Sequence, residues 1–436
     1  MAGAKLMIFY GVLIGIVLYP FIDLFFVNTT IIQLLVILYI LVGGICYFSG
    51  NILHPFVWLA PFIVLYNVSV YILDILGVRE ALFISVIFNC TYLSLSTLFL
   101  YCAFFIKNSA RNSFSYAFLN FRRVKIIGKF LTILGFLLLC YIPLFLKSGY
   151  TSKMETNLHG GLPGLGFISK LFIFFYIPYI IYTIRVTGKF PIKVFIYTVL
   201  VTLSISLFIG ERDIFLTIIL CSFLVFYYYF RPSFKKVVLI AVICLGLVPI
   251  LGMTKQITNK DKIDLGQVNL VAAVFQGEFF SSGHNIEVLL VNQSQWNYQY
   301  GKSLLNDIMR ALFPPMIFPV QNTTGWFNSH FNGRAYMGYG MGFSYIGEGY
   351  LQCGYCGVII WTIFLALIVH CLYKYSQKSV LGLSIYIFII PTIIYAMRGD
   401  LSYILSPLIK QVLVMYLFML FLFRGMERTD YSFEFK

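Results

Sequence analysis

Apolar runs of about 20 residues, separated by short polar connections, repeat along most of this chain. A run of that length can cross the hydrocarbon core of a bilayer as a helix, so each one predicts a transmembrane helix. The runs lie at Leu6 to about Val27, then at 31–49, 54–75, 81–106, 129–147, 165–184, 193–210, 213–230, 237–254, 355–373, 380–397 and 402–423. We therefore predict an all-α polytopic membrane protein with about twelve transmembrane helices and both termini on one side.

One connection is much longer than the others. Residues 255–354 form a segment of about 100 residues, far beyond a normal connection, and loops of that length are usually functional. Within it, 265–280 and 303–312 have the pattern of helices that lie on a membrane surface, and a group of prolines near 314–319 indicates a turn. The chain then divides into nine helices in 1–254, the loop 255–354, and three helices with a tail in 355–436.

Composition supports this class and excludes soluble ones. Hydrophobic residues make up 60% of the chain and charged residues 11%, which is more apolar surface than a soluble core can bury. The net charge of +15 is explained by position, because 18 of the 31 Lys and Arg residues lie at the termini or in connections on the amino-terminal side. We therefore expect cytoplasmic termini, an extracytoplasmic 255–354 loop and no nucleic-acid partner.

The cysteines do not indicate a metal or disulfide framework. The nine cysteines lie almost wholly inside apolar runs, where they act as small hydrophobic residues. Cys353 and Cys356 form a CxxC pair without a second pair to complete a zinc site. We expect neither a metal nor another cofactor.

The stretch from Gly338 to Gly357 combines glycines and aromatic residues around a single acid, Glu348. Glycines permit tight turns and close backbone approach, while tyrosine rings offer flat faces of the kind that stack on sugars. This combination suits a carbohydrate site at a membrane surface. An interfacial glycine-rich turn with an aromatic belt is the alternative. The candidate sugar-contacting residues are Tyr339, Tyr345, Tyr350 and Trp326.

Ionisable residues cluster where helices are predicted to meet the outer membrane edge. Glu211, Arg212 and Asp213 stand between two apolar runs, and Arg398 and Asp400 end another. Charged residues in such places are functional candidates, although each group also fits a structural ion pair at a helix end. Lys410 stands alone in an apolar run, so it must face the bundle interior, a cavity or a partner. The long loop adds a third set: Glu278, His284, Glu287, Arg310, Arg334 and Glu348.

These features together resemble the Wzy-type O-antigen, or oligosaccharide repeat unit, polymerases. The resemblance is carried by the run GMGFSYIGE from Gly340 to Glu348, by Arg212 near mid-chain, by Arg398-Gly399-Asp400 at the end of the penultimate helix, and by one large outer loop. It implies a GT-C-like inner-membrane glycosyltransferase that works without a metal. Such an enzyme moves a growing glycan from undecaprenyl diphosphate onto the next lipid-linked repeat unit at the periplasmic face. It also implies a Wzz-type chain-length regulator and a Wzx-type flippase as possible partners.

The residue types fit that chemistry independently. The leaving diphosphate needs cations, and guanidinium groups bind phosphate oxygens bidentately. The candidates are Arg212, Arg398 and Arg310, followed by Arg334 and Lys410, with Glu211, Asp213 and Asp400 in support. The acceptor hydroxyl needs a proton acceptor, for which Glu348 is the first candidate and Glu278 and His284 follow.

Two other functions stay open. His284-Asn285 is similar to a His-Asn pair of the related O-antigen ligases, but the glycine expected at a fixed distance after that pair is missing. A lipid-linked glycan transporter or flippase would also need basic and aromatic residues in a cavity. It predicts charges along a path open to both faces, whereas the ionisable residues here are concentrated at the predicted outer face.

Overall fold

The computed structural model describes residues 2–26, 29–106, 121–147, 162, 164–233, 275, 279–313, 317–332, 342–413 and 416–417. Within those ranges all regular secondary structure is helical. The helices are α1 (Ala2–Leu18), α2 (Ile22–Phe25), α3 (Thr29–Phe48), α4 (Pro55–Ile75), α5 (Ile84–Phe105), α6 (Phe121–Lys147), α7 (Leu165–Thr187), α8 (Ile192–Ile209), α9 (Arg212–Phe230), α10 (Phe280–Val291), α11 (Lys302–Leu312), α12 (Thr323–Phe331), α13 (Tyr345–Cys353), α14 (Tyr355–Ser376), α15 (Val380–Ala396) and α16 (Ser402–Ser406), followed by a π-helical segment at Pro407–Leu413.

The predicted class is confirmed, because nine helical segments in the described ranges are long and apolar enough to cross a membrane. α15 is equally apolar but has only 17 residues. These ten correspond to ten of the twelve predicted spans. The predicted span at 237–254 lies outside the described residues, and only the first part of 402–423 lies within them. The chain is a multi-pass membrane protein.

The buried centre of the bundle is formed by α4, α5, α7 and α15. In α4 and α5, 67% of the spanning window is buried inside the protein, against 22% for the first span. α15 is apolar on every face and buried along nearly its whole length, as expected for a helix surrounded by other helices. The first, third and eighth helices instead expose apolar side chains outward, where a membrane protein meets lipid.

Two spans that were predicted as single helices are interrupted or irregular in the structure. The first is interrupted by a 3-10 turn at Tyr19–Phe21, because Pro20 has no amide hydrogen to continue the helical ladder. The last, predicted as one helix at 402–423, begins as the five-residue α16 and continues as a π-helical segment from Pro407. α6 also begins at Phe121, earlier than the predicted start at 129.

The long loop contains more helix than its pattern predicted. The predicted helix at 303–312 is confirmed as α11, whereas nearly all of 265–280 lies outside the described residues. The glycine and aromatic stretch was predicted to form turns, but α13 occupies Tyr345–Cys353. Ser344 caps this helix, since its hydroxyl accepts a hydrogen bond from the Gly347 amide at 3.1 Å.

The glycines of α13 permit a close helix crossing. A Cβ atom added to Gly357 at the start of α14 would collide with the backbone carbonyl of Gly349. The two helices therefore pack backbone against backbone. This close packing ties α13, and with it Glu348, to a membrane-spanning helix.

The bundle has two distinct ends. At one end the Asn51 side chain donates to the Tyr373 hydroxyl at 2.9 Å, which joins the α3–α4 connection to α14. At the other end α10 packs on the last turns of α4, where the Ser69 hydroxyl donates to the Phe279 carbonyl at 2.9 Å. The helices of the long loop, α10 to α13, are associated with this second end, so we call it the loop end.

Candidate functional site

Glu348 lies fully buried where four segments of the loop end meet. Its Oε1 accepts hydrogen bonds from the Thr323 hydroxyl of α12 at 2.9 Å and from the Ser303 hydroxyl of α11 at 3.4 Å. Its Oε2 accepts one from the Leu401 amide at 2.8 Å. Burial, and then the charge of Asp400, raise the pKa of Glu348 to about 7. The carboxyl group thus titrates near neutral pH.

Asp400 is a second fully buried carboxylate, and it is well supplied with donors. Its Oδ2 accepts from the Asn322 side chain and from the Thr324 amide, both at 2.7 Å. Its Oδ1 accepts from the amide and hydroxyl of Ser402. Asp400 therefore holds the start of α12 against the start of α16 through four hydrogen bonds.

Asn322 links this carboxylate to a cation. Its amide nitrogen donates to Asp400, while its Oδ1 accepts from Arg310 Nη1 at 2.9 Å and from the Gly325 amide at 3.2 Å. The side chain thus caps α12 and connects Arg310 to Asp400 through one residue. The sequence did not single out Asn322, because a polar asparagine in a polar loop has no distinguishing pattern.

Asp307 of α11 is a third fully buried acid, and it too was missed. It faces Glu348, yet neither carboxyl oxygen has a hydrogen-bond partner among the described residues. Burial, followed by the charges of Glu348 and Asp400, raises the pKa of Asp307 to about 10. The sequence shows only that Ser303, Asp307 and Ala311 share one face of the helix at a spacing of four residues; the structure shows that this face is buried while Leu305 and Leu312 point outward.

The arginine groups at the ends of α9 and α15 are brought together. The Arg398 guanidinium lies over the Tyr395 ring, 4.3 Å from its centroid. Tyr395 also interacts electrostatically with Asp213 and Glu211, and Arg212 interacts with Tyr395. The two charged groups that the sequence placed at separate helix ends therefore form one cluster around Tyr395.

Lys170 joins this cluster from the first turns of α7. It interacts electrostatically with Asp213 and Glu211. It is one cation within a predicted span, so it was not among the candidates from the sequence. The available signal was its place in the second turn of α7, which is predicted to lie at the same membrane edge as Glu211 and Asp213.

His284 belongs to a different group at the loop end. Its Nδ1 lies 3.0 Å from Arg79 Nη1 and 3.1 Å from Glu287 Oε2, and Arg79 Nη2 donates to Glu287 at 2.7 Å. Glu287 also accepts from the Leu82 amide at 2.7 Å. The group joins α10 to the α4–α5 connection. Arg79 was missed because its partner is more than 200 residues away in the sequence.

Of the alternatives left open for Lys410, which were the bundle interior, a cavity or a partner, the structure shows partners. Its Nζ donates to the carbonyl oxygens of Arg310 at 2.7 Å and Phe313 at 3.5 Å. Unsatisfied carbonyls at a helix C-terminus attract cations, so Lys410 caps α11. Its ammonium group therefore contributes to the packing of α11.

The aromatic candidates differ in how open they are. Tyr345 is buried and its hydroxyl donates to the Trp361 carbonyl at 2.8 Å, so its ring packs inside the protein and does not face a sugar. Tyr350 is also buried, beside Tyr298 and Tyr355. Trp326 is half-buried on α12. Tyr339, Arg334 and Glu278 lie outside the described residues.

The chemistry available at the loop end is therefore that of cations and buried acids. One part holds Arg212, Arg398 and Lys170 with nearby carboxylates, and another holds Glu348, Asp307 and Asp400. The segment 398–402 connects the two, because it carries Arg398, Asp400 and the amide that binds Glu348. In the part of the chain that the structure describes, no three His, Cys, Asp or Glu side chains are arranged to hold a metal ion.

Comparison with known families agrees with this architecture. The family model described as O-antigen polysaccharide polymerase Wzy matches residues 5–428, nearly the whole chain. Comparisons with curated proteins and with solved structures gave no match. A match of this extent covers both the helix bundle and the loop-end site. The chain therefore belongs to the Wzy family of O-antigen polysaccharide polymerases.

Proposed function

We propose that this protein is the polymerase that transfers a growing glycan from undecaprenyl diphosphate onto the next lipid-linked repeat unit. The family match supports a polymerase role in polysaccharide synthesis. The observation that carries the finer proposal is that guanidinium groups and a buried carboxylate of raised pKa lie at the same end of a membrane bundle, joined by residues 398–402. A diphosphate leaving group and a hydroxyl acceptor need those two kinds of group together.

Arg212 and Arg398 are the proposed diphosphate ligands. The Arg398 guanidinium is held by the Tyr395 ring, and Arg212 lies in the same electrostatic cluster. Planar guanidinium groups can each bind two phosphate oxygens, and they can stabilise the charge that develops as the sugar–phosphate bond breaks. Arg310 supports the site from α11 through Asn322, and Lys410 fixes the end of that helix.

Glu348 is the proposed base. The acceptor hydroxyl would give its proton to Glu348 while its oxygen forms a bond to the anomeric carbon. The bond between that carbon and the diphosphate oxygen breaks, and the diphosphate leaves with the electron pair. Because Glu348 is fully buried, the acceptor must replace one of its present donors. The Ser303 hydroxyl, at 3.4 Å the most distant of them, is the one we expect it to replace.

The other candidate residues are proposed to support the fold or to contact the sugar. Nδ1 of His284 already lies within 3.1 Å of both Arg79 and Glu287, which favours a role in holding α10. Glu278, Arg334 and Tyr339 remain candidates from the sequence. Trp326 is the proposed sugar contact, since its ring is half-buried and Tyr345 and Tyr350 are enclosed. The reaction proposed here needs no metal.

The proposed orientation in the membrane is based on the distribution of basic residues. With 18 of 31 basic residues on the side of the termini, we place the termini in the cytoplasm and the loop end at the periplasmic face of the inner membrane. A Wzx-type flippase would then supply the lipid-linked unit, and a Wzz-type regulator would set chain length.

Deletion of the gene followed by electrophoresis of surface glycan tests the function. A polymerase deletion should leave glycan with a single repeat unit on its lipid anchor, and a plasmid copy should restore the ladder of longer chains. Loss of all glycan from the anchor would instead indicate a ligase. Accumulation of undecaprenyl-linked repeat units on the cytoplasmic side would indicate a flippase.

A further inference from the structure

The buried acid site contains one carboxyl group, that of Asp307, for which the described part of the chain completes no hydrogen bond. Asp307 has no exposed surface, and neither of its oxygens has a hydrogen-bond partner among the described residues. A buried carboxylate without a donor or a cation is strongly disfavoured, because burial removes its hydration and no hydrogen bond or opposite charge replaces it. The neutral acid removes most of that cost.

The neighbouring acids differ from Asp307 in this respect. Glu348 accepts hydrogen bonds from Thr323, Ser303 and Leu401. Asp400 accepts from Asn322, Thr324 and Ser402. Donors of this kind stabilise the ionised form of a carboxyl group. The fold therefore surrounds Glu348 and Asp400 with donors, whereas the Thr323 backbone acts on Asp307 without completing a hydrogen bond and the nearest side-chain partner of Asp307 is the Glu348 carboxyl group.

The charges around α11 do not compensate Asp307. Among the described elements packed against it, the charged groups that face Asp307 are Glu348 of α13, Asp400 before α16 and Lys410 of the π-helical segment. On α11 itself are Arg310 and Lys302, which is exposed at the first residue of the helix. Arg310 donates to Asn322, and Lys410 donates to the Arg310 and Phe313 carbonyls. Within the described ranges both cations thus have other partners, while both acids repel a charge on Asp307.

We propose that Asp307 is a positioning residue that carries a proton at neutral pH and shares it with Glu348, so that this buried pair holds one negative charge. The proton lets two acids face each other without repulsion. It also leaves Asp307 able to donate to Glu348 once a substrate hydroxyl replaces Ser303. A pair that shares a proton titrates as a unit, and its charge state sets how readily Glu348 accepts another proton.

The inference deepens the role proposed for Glu348 but can be tested without it. Infrared spectroscopy of the purified full-length protein in nanodiscs at pH 7 should show a carboxylic acid C=O band. Above pH 8, where Glu348 is ionised, the band should be absent from Asp307→Asn, whereas the wild-type protein should keep it until clearly alkaline pH. Absence of any such band in the wild-type protein at pH 7 would overturn the proposal, whether or not the variant can be purified.

Thermal unfolding across pH gives a second readout. The folded-state pKa of Asp307 lies above its unfolded value, so its contribution to stability is complete at acidic pH and is lost as pH rises toward about 10. The unfolding temperature of the wild-type protein should fall between pH 7 and pH 10. Asp307→Asn should be at least as stable at pH 7 and lose this dependence.

Asp400→Asn is the matched control. The same change there places an NH2 group against donors, so it should lower the unfolding temperature at every pH. If Asp307→Asn were destabilised in the same way at every pH, the fold would favour the ionised form of Asp307, and the proposal would be wrong. Turnover distinguishes the base role of Glu348 from the protonated state of Asp307. If Glu348→Gln has a normal rate and keeps the Asp307 band, Glu348 is not the base, whereas the proposal for Asp307 stands.

Discussion

The hydrogen bonds of Glu348 determine how well the fold can accept a glutamine at this position. Two of its donors, the Thr323 and Ser303 hydroxyls, can also act as acceptors, while the third is the Leu401 amide. A glutamine at this position can turn its oxygen toward Leu401 and donate its NH2 group to the hydroxyls. The fold should therefore accept the amide, and the change removes chiefly the ability to take a proton.

Glu348→Gln should lower turnover by about 10² to 10⁴, the usual contribution of a positioned base, while the protein stays folded. In the wild-type enzyme the rate should rise with pH through about 7, because the base must be ionised to accept the proton. Purified protein and a synthetic lipid diphosphate repeat unit provide the assay. Near-normal turnover of the glutamine variant would leave Glu348 as a structural connection between α11, α12 and α13.

Arg212→Ala and Arg398→Ala should each abolish the ladder of long glycan chains without loss of the protein from the membrane. Lysine at either position should restore little activity, since an ammonium group cannot bind phosphate oxygens in a planar fork. Arg185→Ala is the matched control. Its Nε donates to the Tyr229 hydroxyl at 2.9 Å near the ends of α7 and α9 that lie away from the loop end. Normal ladders from both alanine variants would place the diphosphate elsewhere.

At the scale of elements, the short helices of the long loop are positioned by small or polar contact faces. α11 is inverted relative to a soluble helix, because Ser303, Asp307 and Ala311 face the protein and Leu305 and Leu312 face outward. Such a helix suits a site beside a membrane, where the apolar face meets lipid and the polar face meets the active site. α13 depends instead on the absence of side chains where it crosses α14.

Gly357→Ala should destabilise the protein by about 1 to 3 kcal/mol, because the added methyl group forces the α13 and α14 backbones apart. Glu348 would move with α13, so activity should fall as well. Gly166→Ala is the matched control, since the Cβ there has no neighbouring atom within 4 Å. Thermal unfolding in detergent gives the comparison. Equal unfolding temperatures for the two variants would mean that the crossing tolerates a wider spacing.

At the scale of the whole molecule, the buried acids and the proposed site lie at one end of the bundle, whereas 18 of the 31 basic residues lie on the other side. The loop end carries Arg212, Arg398, the buried acids and the α10 to α13 helices, while contacts such as Asn51 to Tyr373 join the helices at the opposite end. That asymmetry fits an enzyme that works on one membrane face better than a transporter, which needs a polar path between both faces.

Cysteine labelling tests which face this is. In a background without the exposed native cysteines, Ser329→Cys on α12 should react with an impermeant reagent in intact spheroplasts. Ser49→Cys, exposed at the opposite end beside Asn51, should react only after lysis. The reverse pattern would invert the orientation and move the loop-end site to the cytoplasm.

The class of the protein and most of its helix positions were predictable from local pattern, and local pattern also singled out several residues of the proposed site. A bilayer requires apolar runs of a set length, so α3 to α5, α7 to α9 and α14 appear directly in the sequence. Glu348, Arg212 and Arg398 stood out because a charge next to an apolar run is rare and costly. The resemblance to the polymerase family rested on the same local runs, and the family match agrees with it.

Contacts between distant segments were not predictable in this way. Asp307 looks like any polar residue of a surface helix, and only the packing of α11 against α13 and α16 buries it beside Glu348. Tyr345 looks like a sugar platform, yet packing encloses its ring. Burial and partnership depend on which segments meet in space, and a side chain's identity is the same whether it faces water, lipid or another acid. The membrane thus set the helices through local chemistry, while long-range packing selected which of the polar residues share the site.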